Sequence, residues 1–154
     1  MTTTEKIDRP SFPSMLLDAG AALMLVSSAA GDPRTDDAVF RAGEDGYHTF
    51  RIPALIEAAD GDLLAFAEGR VGGRGDSGDI DLVLRRSHDE GRTWSDLQVV
   101  WDDAGNTCGN PCPVLDAETG TIHLLSTRNL GGDHESQIIA GTSEGTRTVW
   151  ILSS

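Results

Sequence analysis

The sequence predicts an all-β protein, and two observations carry this prediction. Glycine supplies 18 of the 154 residues, whereas aromatic residues account for only 5%, a composition typical of chains with many turns. From Val39 onward, short apolar runs alternate with turn residues, and that part shows no sustained helical periodicity. Hydrophobic residues make up 38% of the chain, which is enough for a packed core and excludes general disorder.

The apolar runs are predicted strands. Asp60-Gly61 is typical of a hairpin turn between the first two strands, and the glycine-rich segment 72–78 can only be a loop. The expected strands are Thr49–Ile56, Leu63–Ala67, Ile80–Arg86, Gln98–Trp101, Pro113–Asp116, Ile122–Ser126 and Thr148–Leu152. Because no turn or partner strand follows the last run, which would leave an apolar edge, we expect the chain to be part of something longer.

Residues 1–36 differ in composition from the rest and are predicted to be a leader, either a signal peptide or a disordered segment. The apolar stretch Met15–Ala30 has the length of a signal-peptide core, although Asp18 interrupts it. The stretch is too short to predict a membrane-spanning helix. A signal peptide favours a secreted or periplasmic location over a cytoplasmic one. Residues 37–154 are expected to form the folded domain.

Charge limits the partners that this chain can bind. Twelve Lys and Arg residues against 25 Asp and Glu residues give a net charge of −13. This charge argues against nucleic acid and anionic membrane surfaces, because its long-range field repels polyanions. Lys6 is the only lysine, so the remaining basic residues are arginines, which bind carboxylates bidentately.

Two cysteines, Cys108 and Cys112, are too few for a disulfide scaffold or a four-sulfur zinc site. They are interpreted as small buried hydrophobic residues, with a local disulfide as the alternative. The aspartates Asp76, Asp79 and Asp81 are only loosely similar to a calcium loop, because the full ligand pattern is absent. Neither a metal site nor a cofactor is predicted.

The sharpest local pattern is formed by Ser87, Asp89, Gly91, Thr93 and Trp94. Its spacing fits a tight hairpin corner, in which Asp89 accepts hydrogen bonds from backbone N–H groups and Gly91 takes a positive φ. Trp94 is expected to fold back as an apolar plug. This pattern is the aspartate box, and we interpret its role as structural.

A second pattern, Phe50-Arg51-Ile52-Pro53, places an arginine among apolar residues, which is costly unless the guanidinium meets an anion. The alternative is a strand-end arginine whose head reaches solvent. Downstream follow FAEGR at 66–70, GDSGDID at 75–81, the aspartate box and GNPCPV at 109–114. Together and in this order, these segments resemble the sialidase (neuraminidase) family, and the bacterial enzymes in particular. The resemblance extends from about Val39 to the last residue.

The resemblance implies a six-bladed β-propeller with four antiparallel strands in each blade. About the first two blades are expected in this chain, and the remaining blades are expected from a longer chain. Ser153-Ser154 fall where a second aspartate box would begin, whereas the segment from Ser143 to Trp150 lacks the aspartate and glycine of a box.

Several residues match positions that the family uses. Arg51 resembles the first member of an arginine triad that clamps the carboxylate of sialic acid. Arg70 resembles an arginine at the pocket edge that serves the 4-position of the sugar. Asp76, on the glycine-rich loop, matches the acid/base aspartate, with Asp79 as the alternative.

Asn110 and Pro113 match pocket residues near the N-acetyl group of the sugar, with a proline-stiffened turn leading into a strand as the alternative. Sialidases use a tyrosine nucleophile. Tyr47 is the only tyrosine and precedes the FRIP segment, so it cannot be that nucleophile. The nucleophile, its glutamate partner and the other two triad arginines are expected beyond residue 154.

The resemblance therefore implies an exo-α-sialidase, a retaining glycosidase whose partners are sialylated glycans. Its substrates would be terminal sialic acids of glycoproteins, glycolipids (gangliosides) and oligosaccharides. The isolated 154 residues are expected to show no turnover. The alternative is a non-catalytic carbohydrate-binding or interaction module built on aspartate-box repeats, which would not need the set Arg51, Arg70 and Asp76.

Overall fold

The computed structural model describes residues 38–154, and the prediction of a leader at residues 1–36 lies outside the described residues. The all-β prediction is confirmed, with one short helix added. The elements are β1 (Thr49–Glu57), β2 (Leu63–Arg70), β3 (Ile80–Ser87), β4 (Gln98–Trp101), β5 (Thr107–Leu115), β6 (Ile122–Asn129), α1 (Glu135–Ala140) and β7 (Thr148–Ser153).

The strands form two antiparallel groups. In the first group, β1 pairs with β2, β2 with β3, and β3 with β4. In the second group, β5 pairs with β6 and β6 with β7, so the last strand has a partner on one side. The two groups join at a parallel pair between Ile80 of β3 and Thr107 of β5. The resulting sheet is open, with β1 and β7 at its two ends.

The main hydrophobic core lies between the two groups. Phe66 and Leu82 from the first group and Leu124 from the second have no solvent exposure. Each such side chain contributes about 1.5–3 kcal/mol through removal of apolar surface from water. The buried members of this core are Leu64, Phe66, Leu82, Leu84, Val100, Trp101, Cys108, Ile122, Leu124 and Leu152. The packing between the groups places the last residues of β2 beside the first residues of β5.

The opposite face of the first group carries a smaller cluster around Tyr47. The Tyr47 hydroxyl donates a 2.7 Å hydrogen bond to Asp81 Oδ2. Its ring lies against Gly69, where a Cβ atom would come within 2.7 Å of the ring. Burial raises the pKa of Tyr47 above its ordinary value and raises the pKa of Asp81 to about 6. Tyr47 is therefore anchored to β2 and β3 two residues before β1 begins.

The aspartate box forms a closed corner after β3. Asp89 Oδ1 accepts hydrogen bonds from the Ser87 hydroxyl and from the Thr93 backbone N–H, both at 2.8 Å, and Asp89 Oδ2 accepts one from the Thr93 hydroxyl at 2.7 Å. Gly91 has φ +85 and donates its N–H to Ser87 Oγ. The hydrogen bonds from Thr93, together with that from Ser87, lower the pKa of Asp89 to about 2. Trp94 is half-buried beside this corner.

The main departure from the sequence prediction is β5, which begins at Thr107 and not at Pro113. The alternative of a turn at residues 109–114 is wrong, because that segment pairs with β6 through a register shift between Gly109 and Cys112. Asn110 takes φ +55 at this shift. Proline is tolerated there because β5 pairs with β3 only at Thr107, so few N–H donors are needed on that side.

Two smaller predictions also change. Helix α1 has only six residues, which is too short to produce a recognisable period, and it ends at Gly141 with φ +67. The disulfide alternative is wrong, since both cysteines are free. Cys108 is buried, as predicted, which raises the pKa of its thiol to about 12, whereas the prediction is wrong for Cys112, which is exposed because its side chain lies on the other face of β5. Within residues 38–154, no helix has the length and apolar character needed to cross a membrane.

Candidate active site

A polar cavity of about 170 Å³ lies where the two strand groups meet, at the end of β2 and beside the loop that follows it. Its lining residues are Ile52, Glu68, Arg70, Asp76, Ile80, Thr107, Asn110, Thr127, Asn129, Glu135 and Arg147. A larger apolar cavity of about 440 Å³ lies towards the other end of β2, around Leu64 and Phe66. None of the residues predicted for the site line that apolar cavity.

Arg51, in an irregular part of β1, is not among the residues that line the polar cavity but contacts one of them, Asp76. The β1–β2 register shifts between Arg51 and Ala54, and Ile52 takes φ +52, which is unusual for a β-branched residue. Such a bulge redirects the neighbouring side chains. The Arg51 guanidinium Nη1 donates to Asp76 Oδ1 at 2.8 Å and to the Arg74 carbonyl at 3.3 Å.

Arg70 is the last residue of β2 and is almost completely buried, with 2% exposure. It was predicted at a pocket edge, but it forms part of the cavity wall. Its Nη1 group donates to Asp76 Oδ1 at 2.8 Å and to the carbonyls of Arg74 and Gly75 at 2.9 and 2.7 Å. The guanidinium therefore contacts the glycine-rich loop and a carboxylate at the same time.

Glu68 is the residue on the other side of Arg70, and the sequence assigned it no role. Its Oε2 accepts hydrogen bonds from Arg70 Nε and Nη2, and its Oε1 accepts one from the Asn110 backbone N–H. A signal was present, because a charged residue in the run LLAFAEGR has an arginine two positions away, which puts both side chains on the same face of a strand.

Asp76 lies on the loop between β2 and β3 and accepts hydrogen bonds from both arginines. The hydrogen bond from Arg70, followed by the charges of Arg70 and Arg51, lowers the pKa of Asp76 below its ordinary value. The same loop reaches the second strand group, since Ser77 Oγ and His134 Nδ1 share a hydrogen bond of 2.9 Å. The loop is thus held from both groups.

Of the three remaining predicted site residues, one lines the cavity and two do not. Asn110 lines the cavity, and its Nδ2 donates to Thr127 Oγ1 at 2.8 Å. Pro113 pairs with Leu124 further along β5 and is not among the lining residues. Asp79 is not among them either, and its charge instead contributes to the raised pKa of Asp81.

The second group adds a polar wall that the sequence did not predict. Arg147, just before β7, donates from Nε to Asn129 Oδ1 at 3.1 Å and lies 3.6 Å from a carboxylate oxygen of Glu135. Asn129 is fully buried at the end of β6. No local motif marks these residues, because they meet only after β6 and β7 pair. The lining of the cavity therefore includes two basic side chains, Arg70 and Arg147, and three acidic ones, Glu68, Asp76 and Glu135.

The fold agrees with what the comparisons show. Residues 61–153 match the family of BNR repeat-like domains. An exo-alpha-sialidase of Arthroderma benhamiae is 42% identical over 117 residues, which are 71% of this chain and 28% of that protein. A sialidase of Micromonospora viridifaciens is 41% identical over 113 residues, 68% of this chain and 16% of that protein.

A solved structure of a Hadza microbial sialidase superposes with a TM-score of 0.64 at 25% identity, covering 73% of this chain and 25% of that one. The open sheet is therefore part of a sialidase-type β-propeller, as predicted. The chain belongs to the BNR repeat-like family and, within it, to the sialidases. It spans roughly a quarter or less of the length of these relatives.

Proposed function

We propose that this chain supplies the carboxylate-binding side of an exo-α-sialidase active site. The observation that carries the proposal is the meeting of Arg51, Arg70 and Asp76, in which Asp76 Oδ1 is 2.8 Å from a guanidinium nitrogen of each arginine. A carboxylate is thus already held by the two arginines. A ligand carboxylate can replace Asp76 on Arg51, because guanidinium groups bind any carboxylate in this way.

In this proposal, Arg51 binds the carboxylate of a terminal sialic acid. Its side chain is 43% exposed and contacts the cavity residue Asp76, so a ligand can reach it from solvent. Arg70 lies deeper and donates hydrogen bonds to an oxygen of the sugar ring substituents. Asn110 and Thr127, with one hydrogen bond between them, offer polar groups on the opposite wall.

Asp76 is proposed as the acid/base residue, and this role requires it to move when substrate binds. A group that donates a proton near neutral pH works best when its pKa is raised, whereas the arginines lower the pKa of Asp76. Asp76 must therefore leave both Arg70 and Arg51 when substrate binds. In this proposal the ligand carboxylate displaces Asp76 from Arg51, an uncharged oxygen of the ligand displaces it from Arg70, and Asp76 is then free to approach the glycosidic oxygen.

The retaining reaction also requires a tyrosine nucleophile. Tyr47 is the only tyrosine, and it is buried in the cluster on the other face of the first group with its hydroxyl bound to Asp81. The 154-residue chain is therefore proposed to bind sialic acid without hydrolysing sialosides. The substrates of the complete enzyme are proposed to be terminal sialic acids on glycoproteins, glycolipids and oligosaccharides.

Binding is tested by titrating the 15N-labelled chain with N-acetylneuraminic acid and, in parallel, with its methyl ester. We expect a dissociation constant on the order of 1–10 mM for the acid, since only part of a binding site is present. The neutral ester is expected to bind at least about fivefold more weakly, because Arg51 then loses its anionic partner.

The matched variants are Arg51→Gln and Arg92→Gln. Arg92 is an exposed arginine at the aspartate-box corner that pairs with Glu90, so its loss controls for a general change in charge. We expect the preference for the acid to disappear in R51Q and to remain in R92Q. Equal binding of acid and ester by the unmodified chain would contradict the proposal.

The alternative is a non-catalytic carbohydrate-binding module, and the buried Tyr47 favours it for the chain taken alone. Both candidates predict binding and no release of fluorophore from a fluorogenic sialoside. Reading the coding DNA beyond the codon for Ser154 separates them. A continuing frame with a tyrosine, a glutamate and two further strand arginines supports the enzyme, and a frame without them supports the binding module.

A further inference from the structure

Glu68 has the most completely satisfied carboxylate in the cavity, and it is only 3% exposed. Arg70 Nε donates to Oε2 at 3.1 Å, and Arg70 Nη2 donates to the same oxygen. The other oxygen, Oε1, accepts the Asn110 backbone N–H at 2.9 Å. Both carboxylate oxygens therefore have hydrogen-bond donors within the protein, and Glu68 is held against Arg70 and the backbone of Asn110.

The strand opposite Glu68 is shaped to fit this carboxylate. A Cβ atom on Gly109 would lie 2.5 Å from Glu68 Oε1, so only glycine leaves room for it. The next residue, Asn110, takes φ +55, and the β5–β6 register shifts immediately afterwards. A bulge of this kind frees a backbone N–H from the strand ladder, and Glu68 accepts it.

The two arginines differ in what remains when Asp76 moves away. Arg70 keeps Glu68, whose side chain is 5% exposed, and a buried ion pair is costly to separate. The side chain of Asp76, by contrast, is 61% exposed, and among the described residues Asp76 is the carboxylate that pairs with Arg51. Departure of Asp76 therefore leaves the charge of Arg51 available, whereas the charge of Arg70 stays balanced.

We propose that Glu68 is a positioning residue that neutralises and orients Arg70, so that, of the two arginines that hold Asp76, Arg70 serves uncharged oxygens of the ligand and Arg51 supplies the charge for its carboxylate. The identity of that ligand rests on the proposed function. The orientation follows from the hydrogen bonds: Glu68 occupies the Nε and Nη2 side of the guanidinium, and only Nη1 faces the loop and the cavity.

The positioning role is tested without any ligand, from the Nε–H resonances of the arginine side chains. In the unmodified chain, Arg70 Nε–H is expected to give a sharp signal with hydrogen exchange at least about tenfold slower than that of the exposed Arg92. Equal exchange rates would overturn the proposal. Glu68→Gln should shift this signal and speed its exchange, whereas Glu57→Gln, at an exposed strand end, should leave it unchanged.

A second variant guards against failure of E68Q to fold. Gly109→Ala keeps the charge of Glu68 but places a methyl group against Oε1, so the Arg70 signal should shift in this variant as well. A well-folded G109A or E68Q chain with an unaltered Arg70 signal would contradict the positioning role.

The division between the arginines is tested by the affinity ratio of N-acetylneuraminic acid to its methyl ester. In Arg51→Gln this ratio should fall to within about twofold of one, because Glu68 balances Arg70. In the double variant R51Q/E68Q, the uncompensated Arg70 should restore a preference for the acid of about threefold or more. If the role of Glu68 were only structural, its substitution would change the free energy of unfolding but not the affinity ratio of acid to ester. An R51Q chain that keeps its preference for the acid would overturn the proposal.

Failure of the proposed function can be distinguished from failure of the positioning role of Glu68. If the unmodified chain binds neither acid nor ester, the sialic acid proposal fails, while the ligand-free exchange of Arg70 Nε–H still decides the role of Glu68.

Discussion

The Asp76 carboxylate lies 2.8 Å from the guanidinium of Arg51, although 25 residues separate the two in the chain. The contact exists because the irregular end of β1 and the glycine-rich loop after β2 converge at one rim of the cavity. The same arrangement makes Asp76 a competitor of any carboxylate ligand. The protein itself thus indicates the chemical group that Arg51 binds.

Asp76→Asn should strengthen binding of N-acetylneuraminic acid by about threefold or more, because the neutral amide competes less for Arg51. The same NMR titration measures the effect. Asp79→Asn is the matched control, since Asp79 lies on the same loop outside the cavity lining, and it should leave the affinity unchanged. Weaker binding by D76N would show that Asp76 contacts the ligand directly in the bound state.

Asp81 should make the stability of the domain fall as the pH rises. Its pKa of about 6 lies above the ordinary value of 3.8, chiefly because of burial, so its stabilising contribution is complete below about pH 3.8 and is lost as the pH rises through 6. Asp81→Asn keeps an acceptor for Tyr47 and should be more stable than the parent at pH 7.5, by up to about 3 kcal/mol.

The difference between D81N and the parent should vanish near pH 4, as measured by urea unfolding at each pH. Tyr47→Phe provides a second check. The Tyr47 hydrogen bond lowers the pKa of Asp81, so its removal should move the loss of stability to a higher pH. A pH-independent gain in D81N would argue against titration of this carboxyl.

Asp89 should have the opposite pH dependence. Its folded pKa of about 2 lies below the ordinary 3.8, so its contribution is present above about pH 3.8 and is lost as the pH falls through 2. Asp89→Ala should lower Tm by a few degrees at pH 7, because the hydrogen bonds to Thr93 and Ser87 are lost, and this difference should shrink towards pH 2. Asp96→Asn, a nearby exposed aspartate, serves as the control in the thermal melts.

The core between the two strand groups should dominate stability. Leu82→Ala removes a side chain with no exposure and should cost about 2–5 kcal/mol in urea unfolding. Leu125→Ala, on β6 with 38% exposure, should cost less than about 1.5 kcal/mol. Similar costs for the two variants would mean that the groups do not pack together in solution as described.

Local patterns in the sequence were sufficient for the class, most strand positions, the aspartate box and the family. Each depends on residues close together in the chain: alternating apolar positions, glycine turns, or the spacing from Ser87 to Trp94. The placement of Arg51, Arg70 and Asp76 in one site was also expected, although only from the resemblance. The irregular strand β5 was missed because prolines at 111 and 113 argue locally against a strand. Neither proline has a pairing partner in β3, so the missing N–H groups leave no β3 hydrogen bond unmade.

Tertiary structure decided what those residues can do. Whether an arginine is free to bind an anion depends on the carboxylates that folding brings to it, and charge interactions act through space rather than along the chain. The resemblance implied different ligand groups for Arg51 and Arg70, but only the fold shows the physical difference between them. Both contact the exposed Asp76, and Arg70 also meets a buried glutamate held against a glycine from the neighbouring strand group. The polar wall of Asn129, Glu135 and Arg147 likewise exists only because strands distant in sequence pair at that edge of the cavity.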